Sequence, residues 1–146
     1  MSNQVEHLVY PELNTKSPFS QMKAGHIGIR TSHYEAFIQW YVEILGFRVV
    51  KEWMSGEMKL AYIAFPGNDS FMIEVLGNAE ELPSFEDLRL GYNHICFNVD
   101  NIQTTIAELE KLGITIVRHF PIAAIGKEVA FIADPWGNKI EFSADM

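Results

Sequence analysis

Apolar and polar residues alternate along Ala24–Arg30, which puts Ile27 and Ile29 on one face of a strand and His26, Gly28 and Arg30 on the other. Ser32 and Glu35 then offer a capping box, with Ser32 accepting from a first-turn amide and Glu35 reaching back. Phe37, Trp40, Tyr41, Ile44 and Leu45 recur at the spacing of one helical face, and Gly46 stands where a left-handed helix terminus belongs. Three short strand-like runs follow, Phe47–Trp53, Lys59–Phe65 and Phe71–Leu76, separated by Ser55-Gly56 and by Pro66-Gly67-Asn68-Asp69. The predicted order is β-α-β-β-β.

After an acidic, irregular stretch over 78–90, read as a linker or a short capped helix around Pro83, the pattern starts again. Tyr92–Val99 alternates, Asp100 or Asn101 can cap, and Ile102, Ile106, Leu109 and Leu112 mark a helical face that Gly113 ends. Strand-like Ile114–Arg118, Lys127–Ala133 and Lys139–Ser143 follow, with a turn over 134–138. This predicts an α+β domain over 23–146, made of one module at about 23–77, a linker at about 78–90 and a second module at about 91–146. Residues 1–22, with Pro11 and Pro18 and little periodicity, read as an N-terminal arm.

The two units share one period: 68 residues separate His26 from His94, 67 separate Gly46 from Gly113, and 67 separate Glu74 from Glu141. Two copies of this length do not make a solenoid; they suggest paired half-sheets that enclose something between them. Each copy carries one histidine in its first strand and one glutamate in its last. If the halves curve toward each other about a pseudo-twofold axis, His26, Glu74, His94 and Glu141 converge on one cavity. Two imidazoles and two carboxylates suit a divalent ion with open positions: imidazole favours Zn, Ni, Co or Fe, and carboxylates add charge neutralisation.

Composition narrows the function classes. With 19 acidic against 11 basic side chains, the net charge is −8 and no basic patch stands out, which argues against a nucleic-acid partner. No apolar run approaches the ~20 residues of a membrane span, and the first 22 residues lack the pattern of a secretory signal. Cys96 is the only cysteine, which excludes an intrachain disulfide and suits a cytoplasmic setting. It shares a strand face with His94 and reads as a buried, inert thiol. His7 and His33 read as surface residues, Phe37, Trp40 and Tyr41 as core packing, and Trp136 as either a pocket wall or a hairpin cover.

Gly25-His-Ile-Gly28, Trp40-Tyr41 with Leu45-Gly-Phe47, Glu74 within Met-Ile-Glu-Val, Asn93–Asp100 and Asp134–Phe142 together resemble the vicinal oxygen chelate superfamily of glyoxalases, bleomycin resistance proteins and extradiol dioxygenases, over residues 24–144. The resemblance implies tandem βαβββ modules forming a cupped, barrel-like mixed sheet with helices outside, around a divalent metal held by His26, Glu74, His94 and Glu141. A His/Glu/His/Glu set looks most like the bacterial type of glyoxalase I, lactoylglutathione lyase. That implies Ni, Co or Zn, with Fe or Mn as further candidates.

In such an enzyme a proton moves between adjacent carbons of a hemithioacetal through an enediolate. The resemblance makes Glu141 the leading base and Glu74 a second one on the opposite face of the substrate. It also implies substrate contacts from Arg30, Asn78 and Arg118, with His119 beside the last, and a small-molecule substrate of the glutathione-adduct kind. A homodimer follows from the same resemblance, with the ligands drawn from one chain or shared between two. Two other readings stand beside it: an Fe(II) or Mn(II) extradiol-type dioxygenase in which Glu74 does not bind, and a non-catalytic small-molecule (drug) binding protein.

Overall fold

A computed structural model describes residues 6–77, 90–133, 135 and 138–146. Among these residues, eight strands and two helices follow the predicted order: β1 (Lys23–Thr31), α1 (Tyr34–Leu45), β2 (Arg48–Ser55), β3 (Met58–Ala64), β4 (Met72–Gly77), β5 (Gly91–Asn98), α2 (Ile102–Lys111), β6 (Arg118–Ile122), β7 (Lys127–Ala133) and β8 (Lys139–Asp145). A single 3₁₀ turn, Ala123–Ile125, joins β6 to β7.

All eight strands form one curled sheet in the order β2-β3-β4-β1-β5-β8-β7-β6. The first strand of each module lies at the centre, so β1 and β5 pair antiparallel and fuse the two halves. β1 pairs parallel with β4, and β5 with β8, through the helical crossovers. Sheet twist curls the eight strands into a half-barrel with the helices on its convex side.

Each module has its own core between helix and sheet. In the first, Tyr34 and Ile38 pack with Ala61, Ile63, Ile73 and Val75, flanked by Phe37 and Tyr41. In the second, Ile102 and Leu109 pack with Ala130, Ile132, Phe142 and Ala144. Burying one such aliphatic side chain contributes roughly 1.5–3 kcal/mol. Phe19 also packs on the second core, and the Gln21 side-chain oxygen accepts from the Asp100 amide at 3.2 Å, so the segment before β1 is tied to the second module.

The structure corrects three local expectations. The core stripe of α1 is Tyr34, Phe37, Ile38 and Tyr41; Trp40 and Ile44 lie off it and stay 51% and 63% exposed. The Ser32 capping box does not form, because β1 runs on through Thr31, whose hydroxyl accepts the His33 amide at 3.0 Å, while Glu35 pairs with Lys59 at 2.8 Å. The sixth strand is Arg118–Ile122, after the expected Ile114–Arg118 run; Pro121, which has no N–H to donate, fits there because β6 is a sheet edge. Asn101 caps α2, its side-chain oxygen accepting from the Thr104 amide at 2.9 Å, and Gly46 adopts the left-handed terminus at φ 76°. Of the 78–90 linker only Leu90 is among the described residues, and Asn78 and Trp136 lie outside them.

Candidate metal centre

The four central strands of the sheet each deliver one polar side chain to the concave floor. β1 carries His26, β4 Glu74, β5 His94 and β8 Glu141, none more than 6% exposed. Strand alternation turns their apolar neighbours, Ile27, Ile73, Val75 and Phe142 among them, toward the helices.

One donor atom from each of the four lies within 4.8 Å of all the others. Glu141 Oε1 is 3.0 Å from Nε2 of both His26 and His94. Glu74 Oε1 is 3.3 Å from His94 Nε2 and 3.8 Å from His26 Nε2, and the two imidazole nitrogens are 3.1 Å apart. Donor atoms sharing one ion at about 2.1 Å stand roughly 3.0–3.4 Å apart in octahedral or tetrahedral shells. All of these separations but the 3.8 Å one fall in that range, so the quartet fits a divalent ion in spacing and in donor chemistry. All four donors come from one chain.

Electrostatics points the same way. Two buried carboxylates beside two neutral imidazoles carry a charge of −2, which burial makes costly unless positive charge arrives. Burial opposes protonation of His94, yet hydrogen bonds that the ring donates to the Glu141 and Glu74 carboxylates outweigh it and push its pKa up to about 9. Burial acts to raise the Glu141 carboxyl, but contacts with His26 and His94 hold it down at about 2. A divalent cation supplies the same compensation without protons. Burial, reinforced by the two carboxylates, pushes the Cys96 thiol and the Tyr62 phenol well up, so both stay protonated and neutral.

Aromatic walls rise from the quartet on both sides. Tyr62 packs on His26 with 5.1 Å between ring centroids, and Trp53 on Tyr62 at 4.8 Å. On the other side Phe131 meets His94 edge-on at 5.9 Å, and Phe120 stacks on Phe131 at 6.0 Å. A cavity of about 440 Å³ opens beside Tyr62 and Met72, reaching Val50 and Lys51 on one sheet edge and Ala124–Lys127 on the other. Sequence reading missed these walls. Alternation within Lys59–Phe65 put Tyr62 on the face of Leu60 and Ala64, but only the register Tyr62↔Glu74 ties that face to the site.

Arg30 lies on the strand face of His26 and is 9% exposed. Its Nη1 is 3.8 Å from the Met58 sulfur, and its Nε has no hydrogen-bond partner among the described residues. A buried guanidinium so weakly satisfied is suited to an anion brought by a ligand. Arg118 is exposed on the edge strand, its guanidinium 4.7 Å from the Phe120 centroid, and His119 pairs with Glu128 at 2.6 Å. No helix among the described residues is long and apolar enough to cross a membrane.

Comparison with protein families matches residues 23–142 to the Glyoxalase/Bleomycin resistance protein/Dioxygenase superfamily. The chain is 31% identical over 120 residues to a probable lactoylglutathione lyase of Synechocystis, covering 80% of this chain and 90% of that protein. It is 28% identical over 125 residues to the lactoylglutathione lyase of Neisseria meningitidis, covering 83% and 89%. Against the lactoylglutathione lyase of Schizosaccharomyces pombe it is 27% identical over 143 residues, covering 84% of this chain but spanning only 47% of that longer protein. Among solved structures, methylmalonyl-CoA epimerase from Mycobacterium tuberculosis superposes with a TM-score of 0.74 at 23% identity, over 96% of this chain and 94% of that one. A hypothetical protein from Bacillus halodurans superposes with a TM-score of 0.71 at 24% identity, over 86% and 95%. These two show the fold alone.

Proposed function

Because the chain belongs to the Glyoxalase/Bleomycin resistance protein/Dioxygenase superfamily, we propose that it is a metal-dependent, glyoxalase I-like lyase or isomerase. It moves a proton between adjacent carbons of a small carbonyl or thiol-adduct substrate through an enediolate. The observation that carries this reading is the convergence of four donor atoms, two imidazole and two carboxylate, within 4.8 Å on the floor of the cup. His26, Glu74, His94 and Glu141 hold the ion, and the donor set suits Ni, Co or Zn. A divalent ion bound there supplies Lewis acidity to the substrate's oxygens.

The chain's own residues do the rest. Glu141 takes the proton from the carbon bearing the hydroxyl and returns it to the neighbouring carbon, while the hydroxyl proton passes to the former ketone oxygen, so the hemithioacetal becomes a hydroxy thioester with no net change in atoms. Glu74, whose contacts to the imidazoles are longer, is the second carboxylate available for proton transfer on the opposite side. The aromatic walls exclude water from the reacting carbons. Arg30, whose Nε has no partner among the described residues, takes a substrate carboxylate, and Arg118 offers a second cation at the rim. The relatives named lactoylglutathione lyase support a glutathione adduct as that substrate. The exposed apolar side chains of Trp40, Ile44 and Val49 support a homodimer, with each chain keeping its own site, and the single cysteine supports a cytoplasmic setting.

The test is to load the chain with Ni, Co or Zn and offer the hemithioacetal of glutathione and an α-ketoaldehyde. Thioester formation that is abolished by chelation and restored by metal is expected. A metal-loaded chain that leaves every hemithioacetal untouched would overturn the reading.

A further inference from the structure

The two histidines occupy equivalent places in the two modules, yet their surroundings differ. Across the central β1/β5 pair, His94 stands opposite Gly28 and His26 stands opposite Cys96. A Cβ built on Gly28 would fall within 3.0 Å of His94 Cε1 and Nδ1 and 3.1 Å from Nε2. The imidazole therefore lies in the space that any side chain at position 28 would fill. Gly28 does not have a positive φ, so its backbone places no demand for glycine. The demand comes from the ring lying over it.

The opposite nitrogen of the same ring is also held. His94 Nδ1–H donates to the Asn93 side-chain oxygen at 2.8 Å, which leaves Nε2 turned toward Glu141, Glu74 and His26. In the first module the residue before the histidine is Gly25, with no side chain to do this. His26 is instead flanked by the Tyr62 ring. A metal-binding imidazole whose second nitrogen is hydrogen-bonded has a fixed tautomer and orientation.

We propose that Gly28 and Asn93 are positioning residues for His94: Gly28 provides the seat of the ring and Asn93 fixes which nitrogen faces the ion. The proposal rests on the metal-site reading above, and its failure is distinguishable from the failure of that reading. Neither residue is among the four side chains of the donor cluster. Both act through one imidazole, so replacing either weakens the ion's hold.

The test uses zinc alone, with affinity measured by competition against a chromogenic chelator. Asn93→Ala is expected to lower zinc affinity roughly 10- to 100-fold, and Asn93→Asp, which keeps an acceptor at the same reach, to restore it. In the zinc-loaded wild type, long-range proton–nitrogen NMR correlation is expected to show His94 protonated on Nδ1 and shielded from exchange, and Asn93→Ala to lose that protection. Gly28→Ala is expected to lower affinity at least tenfold in the wild-type background and not at all in a His94→Ala background, where the ring it displaces is gone. Wild-type affinity and an unchanged His94 signal in Asn93→Ala would overturn the role of Asn93. An equal effect of Gly28→Ala in both backgrounds would overturn that of Gly28. If Gly28→Ala does not fold, the Asn93 pair decides the proposal alone. A wild-type chain without zinc affinity would instead remove the site reading on which it stands.

Discussion

His26 and His94, 68 residues apart in sequence, face each other with their Nε2 atoms 3.1 Å apart, and Glu141 Oε1 sits 3.0 Å from both. The Glu74 carboxylate is further from each. The quartet is thus asymmetric although the modules that supply it repeat. Glu141 is the carboxylate more tightly engaged with both imidazoles, which fits a group that holds the ion and handles the proton in turn.

Glu141→Gln keeps the volume and removes the charge and the proton acceptor. We expect kcat on a hemithioacetal to fall about 10²–10⁴-fold with a much smaller change in KM. Turnover close to wild type in the metal-loaded variant would take the base role away from Glu141.

Arg30→Ala removes a buried guanidinium that meets the Met58 sulfur among the described residues. If it receives a substrate anion, losing a charge-assisted contact worth about 1.5–3 kcal/mol raises KM for an anionic substrate roughly 10- to 100-fold. Metal content per chain stays the same. An unchanged KM would return Arg30 to a purely structural part in the cup.

The protons in the metal-free quartet set a pH dependence with a definite sign. His94 titrates at about 9 in the folded chain against about 6.5 when unfolded. Its ion pairing therefore stabilises the metal-free fold fully below about pH 6.5, and that contribution is lost as pH rises through about 9. For Glu141, held at about 2, the contribution is present above its unfolded value of about 4.5 and is lost as pH falls toward 2. Metal needs the imidazole neutral, so binding at pH 7 releases a proton from His94, and apparent affinity climbs up to about tenfold per pH unit until about pH 9. Calorimetry in buffers of different ionisation enthalpy measures that proton. Binding with no proton released at pH 7 would contradict this charge assignment.

Stability separates the two faces of α1. Ile38, buried on the sheet-facing side of that helix, should cost about 2–5 kcal/mol when changed to Ala. Gln39→Ala, on the exposed side of the same helix, should stay within about 0.5 kcal/mol. Denaturant midpoints of the two variants give the comparison directly, and equal losses would mean that the helix docks on a different face.

Much of this molecule is legible in its sequence. The shared period of His26/His94 and Glu74/Glu141 exposed the duplication, and alternation around each residue placed all four on polar strand faces. What alternation cannot supply is register between strands distant in sequence. The pairing of β1 with β5 brings the modules together within one chain and sets His94 over Gly28, and no local pattern encodes it. The α1 stripe was misjudged for a related reason. Trp40 and Ile44 are as apolar as Ile38, and only the position of the sheet decides which of them is covered. Tyr62 and Phe131 escaped notice because aromatic residues in strands are ordinary core formers until their neighbours across the sheet are known.

The most direct measurement of the central claim is metal content per chain by mass spectrometry, on protein stripped with a chelator and then offered Ni, Co, Zn, Mn and Fe in turn. The four-ligand site predicts close to one tightly held ion per chain for at least one of the first three, and its loss in a His94→Ala, Glu141→Ala double variant that keeps its fold. A folded wild-type chain that retains none of these ions would contradict the site and the lyase or isomerase reading built on it.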